Sequence, residues 1–303
     1  MKTGQLGKQD YIRERQEANG LKIEPFNQTV DLKLASYDIT PTMIAMSTKL
    51  GMLETVYQAK DTSLYIKVRA KDTVLVVSNE YFSVPPDMAG YVVSRVSKVA
   101  DGFGHVSTSI DPNWKGALLI ALSNPTNKAI KIGVGRDRGP NTRGDSLATV
   151  SFHYLHAPVT EEARPDPNFE GMRLDLLQSK RYSARPGIKA ILNRFLHFRR
   201  RRFTDDFFKY VTDEIITLES WPEVSKVLNG LGSADRPNPF AQYIVKENWL
   251  TVLLGWARKH WVFVLALMFV VLYALGMIPE ELESWVVDKL KKLKEFRDLI
   301  PVP

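Results

Sequence analysis

Between Lys22 and about Pro158 the chain meets Gly, Pro, Asn or Asp so often that it has no room for a long helix, and this fixes the class of its first half. The stretches in between are short and rich in β-branched and aromatic residues: TVDLKLASYDI, SLYIKVRA, DTVLVVSNEYFSV, AGYVVSRVS, GALLIALSN, AIKIGVG and SLATVSFHYL. Turn signals every 8 to 15 residues or so predict a compact all-β barrel or sandwich. With 303 residues, the chain is long enough for one large domain or two ordinary ones.

The pattern changes after HAPVTEEARPDPNFEG, a Pro-rich acidic connector. Apolar residues then recur at three- and four-residue spacing, which predicts helices from about Met172 to Leu231, before GSADRPNPF breaks the period again. The 18 residues Trp261 to Ile278 carry no charge, and Trp256, Trp261 and Tyr273 suit interfacial positions. Two readings are open here, a transmembrane helix or a fully buried helix in an oligomer core. The following tail places Leu282, Trp285, Val286, Leu290, Leu293 and Phe296 near one helical face, with lysines on the other. The expected organisation is therefore a β region over 1–158, a helical linker over 159–247, a membrane-associated and transmembrane helix over 248–279 and an amphipathic helix over 280–303.

Composition narrows the chemistry. No cysteine is present, which excludes disulfides, a thiol nucleophile and a Cys-ligated zinc centre. The net charge of +7 points to an anionic partner: nucleotide phosphates, nucleic acid or lipid. The polar N-terminus lacks a secretory signal, so the N-terminal region is expected in the cytosol, with a single membrane pass near the C-terminus. The run HFRRRRF, His197 to Phe203, has two readings. Its arginines meet anionic headgroups while Phe198 and Phe203 enter the interface, or it is a solvated or inter-subunit charge cluster.

Four segments carry a family resemblance: LGKQDYIRERQEANGLKIEPFNQTVDLKLAS, NEYFSVPPDMAGYVVSRVSKVADGFG, SIDPNWKGALLIALSNPTNKAIKIGVG and GDSLATVSFHYL. In this order and spacing, over about residues 5 to 158, they resemble the dCTP deaminase and dUTPase family. The resemblance implies a distorted β-barrel, a homotrimer with nucleotide sites at subunit boundaries, and magnesium bound together with the nucleotide. It also implies phosphate binding by an Arg-Ser-Ser motif and sugar and base binding near an Ile-Asp-Pro-Gly-aromatic turn. In the deaminases, a glutamate on the strand after that turn activates water.

Carried onto this chain, the resemblance implies ligand binding by Arg95, Ser97, Asp111 and Trp114. It also shows departures. The deaminase glutamate falls on Ala121, whose methyl group can neither take nor return a proton. The first serine of the Arg-Ser-Ser motif is Val96, and a following arginine is replaced by Ala100. No confident catalytic residue remains for deamination; Asp111 would serve a hydrolase. The family's glycine-rich arm is not found. Arg136, Arg138 and Arg143 in GRDRGPNTRGD form a candidate phosphate loop or else a solvated hairpin. His153 and His156 are read as strand-end residues rather than metal ligands, and His105 as a turn or core residue near Asp111. Three functions follow: a nucleotide sensor coupled to a membrane effector, resembling in architecture the effectors of bacterial defence systems; a membrane-anchored nucleotide hydrolase; or a structural trimer at a membrane. No nucleic-acid specificity is expected.

Overall fold

A computed structural model describes residues 4–135, 145–160, 174–181, 198–213, 221–229 and 239–246. By their contacts, residues 1–246 form one unit and 247–303 a second. The expected span 261–278, the amphipathic tail and the loop holding Arg136, Arg138 and Arg143 lie outside the described residues. Among the described residues no helix is long and apolar enough to cross a membrane.

The first 160 residues are mainly β, as the alternation predicts. The strands are β1 (Gly4–Gln5), β2 (Lys22–Glu24), β3 (Tyr37–Ile39), β4 (Pro41–Ser47), β5 (Met52–Leu53), β6 (Val56–Gln58) and β7 (Leu64–Val68). They continue as β8 (Asp72–Ser83), β9 (Met88–Ser94), β10 (Ser107–Ile110), β11 (Lys115–Asn124), β12 (Ile130–Val134) and β13 (Ala148–Tyr154). A last short strand, β14 (Val245–Lys246), follows the helices. Two helices interrupt the strands, α1 (Lys8–Gln16) and α2 (Val96–Ala100). Among the described residues three more follow: α3 (Leu174–Lys180), α4 (Phe198–Asp213) and α5 (Trp221–Leu228).

Among the described residues the strands form three sheets. The first runs β1-β13-β9-β10 with β3 on β13, the second β11-β8-β4-β5 with β2 on β8, and the third β12-β7-β6-β14. The second sheet is the centre of the core. All seven residues of β4 are buried, because one face meets the strands' common core and α5 packs against β4 and β8. Two-sided cover of this kind turns an alternating strand pattern into a continuous apolar one. Where β11 bulges against β8 between Ala117 and Leu119, the backbone N–H of Leu118 donates to the Ser78 hydroxyl at 2.8 Å, so the residue that leaves the ladder keeps a partner.

Two sequence expectations are corrected. TVDLKLASYDI is a strand only at its end, since the Asn27 side chain accepts from the backbone N–H groups of Thr29 and Val30 and holds the preceding segment in a turn. The arginine run is neither a lipid face nor a solvated cluster throughout. Phe203 is buried in the protein, stacked on Tyr243 at 4.8 Å, and Arg200 is ion-paired with buried Glu54. Arg200 also donates to the Leu53 carbonyl at 3.1 Å, while the Leu53 N–H donates to the Thr204 hydroxyl at 2.9 Å. Helix α4 thus satisfies both backbone groups of an edge-strand residue, covering an edge that would otherwise stay open.

Candidate functional site

The candidate residues sit on the first sheet and on the turns that flank it. Strand β9 ends at Ser94, Arg95 follows, and α2 carries Val96, Ser97 and Ala100. Ser97 is exposed and Val96 is 84% exposed. Arg95 does not stand alone. It ion-pairs with Asp38 of β3, a carboxylate that is only 2% exposed and also accepts from the Thr149 hydroxyl at 3.1 Å and meets Lys33 at 3.4 Å. One edge of the guanidinium is therefore fixed by the protein, and the side chain remains about a third exposed. A clamped, half-open guanidinium presents its remaining donors in a fixed fork, the arrangement suited to phosphate oxygens. Asp38 is the site residue that sequence reading misses. The available signal was a lone carboxylate inside an apolar stretch, Tyr37 to Ile39, where an unpaired charge is too costly to bury.

Asp111 lies past the other end of the same ladder. Strand β10 pairs with β9 so that Ser107 faces Val93 and Ile110 faces Gly90. Arg95 lies beyond one end and Asp111 beyond the other, separated by about six strand positions, roughly 20 Å at the usual rise. Asp111 is exposed, and its carbonyl accepts from the Trp114 N–H at 3.3 Å in a turn completed by Asn113 at φ +61°. Trp114 is half-buried against the core and its indole N–H donates to the Gly116 carbonyl at 3.2 Å, so part of its polar capacity holds the turn. Within one chain the structure brings Arg95 together with Ser97, and Asp111 with Trp114, but it does not bring the two pairs together.

Ala121 lies on β11 opposite Leu75 of β8, with an exposed side chain. It is two positions from Ser123, whose carbonyl accepts from the Gly104 N–H at 2.8 Å in the loop after α2. The methyl group thus occupies an accessible position on the side of the molecule near the α2 loop. His105 is exposed, with Nδ1 2.8 Å from the Val106 carbonyl oxygen, and His153 stacks on Tyr91 with ring centroids 5.2 Å apart. His156 is exposed after β13. Among the described residues no group of three His, Asp or Glu side chains is gathered to hold a metal ion. The described residues thus form no protein-made magnesium cage.

The outer face of this ladder carries an exposed apolar strip bordered by hydroxyl side chains. Tyr91 and Val93 of β9 are 56% and 41% exposed, and Val99 of α2 is 42% exposed beside Val96. Ser107 and Ser109 of β10 and Thr149 and Ser151 of β13 flank the two β9 side chains in register. The ionic groups beside it are paired, Arg95 with Asp38 and Lys98 with Asp101 and Asp145.

Comparison with known proteins gives this arrangement a context. Residues 6–137 match a family described as dCTP deaminase-like. The dCTP deaminase of Thermococcus kodakarensis is 25% identical over 159 residues, which cover 52% of this chain and 90% of that one. Among solved structures, the 2'-deoxycytidine 5'-triphosphate deaminase of Agrobacterium tumefaciens aligns at 18% identity, covering 53% of this chain and 51% of that one, with a TM-score of 0.38. This chain therefore spans about half the length of the Agrobacterium protein. A mutant dUTPase from Staphylococcus aureus phage phi11, solved with attention to a structural Mg(II) ion, aligns at 12% identity over 49% of this chain and 99% of that one, with a TM-score of 0.29. Over residues 6–137, then, the chain is similar to dCTP deaminase-like proteins.

Proposed function

We propose that this protein binds a nucleotide, without deaminating it, at a site shared between copies of the chain. The observation that carries this reading is the separation of the two halves of the candidate site along the β9–β10 ladder. Arg95 and Ser97 of one copy meet Asp111 and Trp114 of another across the apolar surface of Tyr91, Val93, Val96 and Val99. A homotrimer closes such a contact with equivalent seams. In the assembled site the Arg95 fork binds phosphate oxygens while Asp38 holds its other edge, and Ser97 adds a hydroxyl donor. The turn at Asp111 takes the sugar, and the exposed part of the Trp114 ring covers its apolar side. Magnesium, where the nucleotide brings it, neutralises phosphate charge.

Ala121 supports the absence of deamination. A water placed there finds no proton acceptor, and a methyl group returns no proton to a leaving amine. A second reading, nucleotide hydrolysis with Asp111 orienting the attacking water, is favoured by the exposure of that carboxylate on its turn. The sensor role extends the first reading. It is supported by the packing of α4 on β5 and the pairing of β14 with β6, which tie the helices after the β region, and the residues up to Lys246, onto its second and third sheets. Membrane anchoring rests on the uncharged 18-residue stretch Trp261–Ile278.

The test is incubation of the full chain, purified in detergent, with dCTP, dUTP and the other nucleoside triphosphates plus magnesium, following thermal stability and products together. Stabilisation by one nucleotide with no ammonia or pyrophosphate is the expected result, since a ligand of the folded state raises its stability. Ammonia from dCTP overturns the reading of Ala121, and pyrophosphate from dUTP selects the hydrolase. No stabilisation by any nucleotide refutes nucleotide binding.

A further inference from the structure

A third charged group meets the Arg95–Asp38 pair. Asn27 holds the segment before β3 in a turn, and a tight hairpin follows it. Leu32 bridges Tyr37, the Lys33 N–H donates to the Ser36 carbonyl at 2.8 Å, and the Asp38 N–H donates to the Asp31 carbonyl at 2.9 Å. The hairpin returns the Lys33 side chain to Asp38. Its ammonium lies 3.4 Å from Oδ2, the same oxygen that takes the Arg95 guanidinium, while the Thr149 hydroxyl donates to Oδ1 at 3.1 Å.

One buried carboxylate thus carries two cations. Asp38 is 2% exposed, whereas Lys33 and Arg95 are 47% and 34% exposed, so the acid lies beneath and both cations reach solvent. Among the described residues no second acid pairs with either cation, and two cations on one carboxylate leave one positive charge in excess. Sharing an oxygen keeps the two cations within two contact distances of each other, where Asp38 alone offsets their repulsion. Free donors remain on both. Of the three N–H groups of an ammonium, Lys33 directs one to the Val30 carbonyl at 2.8 Å and one to Asp38, which leaves one for a ligand. Arg95 uses an Nη1–H on Asp38 and keeps the donors of Nη2 and Nε.

We propose that Lys33 is a second phosphate-contacting residue of this site and that it meets a different phosphate from the one held by Arg95. The proposal rests on the nucleotide reading of Arg95. A guanidinium fork takes two oxygens of one phosphate, and a compact ammonium beside it suits a single oxygen of the next, since neighbouring phosphates of a nucleotide are joined through one bridging oxygen. Asp38 therefore positions both contacts, and the excess positive charge is matched only when the second phosphate is present.

Phosphate number is the readout that separates this contact from a structural role. Binding of dCMP, dCDP, dCTP and the three deoxyuridine nucleotides to the full chain, purified in detergent with magnesium present, is measured by calorimetry for wild type, Lys33→Gln, Lys33→Arg and Arg95→Ala. Competition against the triphosphate extends the range to weak monophosphate binding. Thermal midpoints report whether each variant is folded, and Lys33→Met, which keeps the aliphatic stem, replaces Lys33→Gln if that variant unfolds. The expected result is a tenfold or greater loss of diphosphate and triphosphate affinity in Lys33→Gln, a loss below threefold for the monophosphate, and recovery of both affinities in Lys33→Arg. An equal loss for all three phosphate numbers overturns the proposal, because Lys33 then acts only by supporting Asp38 and Arg95. If Arg95→Ala loses binding while Lys33→Gln matches wild type, the Lys33 contact alone is wrong. If Arg95→Ala binds as wild type does, or wild type binds no nucleotide, the nucleotide reading fails and this contact fails with it.

Discussion

Arg95 has two faces with different jobs. Asp38 takes one edge of its guanidinium from inside the protein, and the other edge remains for a ligand. Asp38→Asn keeps the shape but removes the charge from a nearly fully buried position that Arg95, Lys33 and Thr149 all address. The expected cost is about 1–2 kcal/mol, because the charge-assisted bonds to Asp38 are weakened while Arg95 and Lys33 stay open to water. Chemical denaturation measures it, and nucleotide affinity should fall with it as Arg95 loses its support. An unchanged denaturation midpoint would show that the pair does not hold the site. Arg95 itself was legible in the sequence, because it stands in a recognisable motif. Its partner was not, since Asp38 lies 57 positions away and long-range pairing leaves no periodic trace. Trp114 shows the reverse: its ring reads from sequence as a stacking surface, yet its N–H serves the local turn through Gly116.

Helix α4 is the element whose role differs most from expectation. Four arginines in a row read as a surface for lipids or solvent, and their period places them all around the helix. What decides their use is the edge strand β5 beside them, which no local pattern announces. Arg200→Leu should cost about 2–3 kcal/mol, less than a fully orphaned buried charge, because Arg69 still reaches Glu54 at 2.9 Å. Thr204→Ala should cost about 1–2 kcal/mol through the unmet N–H of Leu53. Urea titration of each variant checks both values. The same contact region responds to alkali. Burial, with the hydrogen bond to Asp206, pushes the Tyr243 phenol from its ordinary 10.0 up to about 12. The folded chain thus holds this proton more tightly than the unfolded chain. The contribution to stability is full below pH 10 and is lost as pH rises toward 12. Burial raises Tyr11 in the same direction, so thermal midpoints should fall between pH 10 and 11, and less steeply in Tyr243→Phe. A midpoint flat across that range would contradict the burial of these phenols.

At the scale of the whole molecule, the strand-rich first half was readable because turn residues and β-branched runs alternate there, and the packing of those strands followed. What the sequence could not convey was the distance between motifs. Arg95 and Asp111 are close in sequence and belong to one family pattern, yet an antiparallel ladder puts them at opposite ends. Proximity in sequence is lost whenever a hairpin runs outward in this way. A site shared between copies requires that assembly and ligand binding fail together. Tyr91→Asp, which places a charge in the centre of the exposed apolar face, should shift the protein toward monomer in light scattering and abolish nucleotide stabilisation, while leaving the core intact. A monomeric wild type that binds nucleotide would break that link.

The most direct measurement is complementation between site variants. Arg95→Ala and Asp111→Ala are expressed separately and together, the mixed assemblies are purified by paired tags, and nucleotide binding is measured in each. Each variant alone should bind no nucleotide, and the mixed assembly should recover binding, because one seam then combines an intact Arg95 with an intact Asp111 from different copies. Mixed assemblies that bind no better than either variant would contradict a shared site.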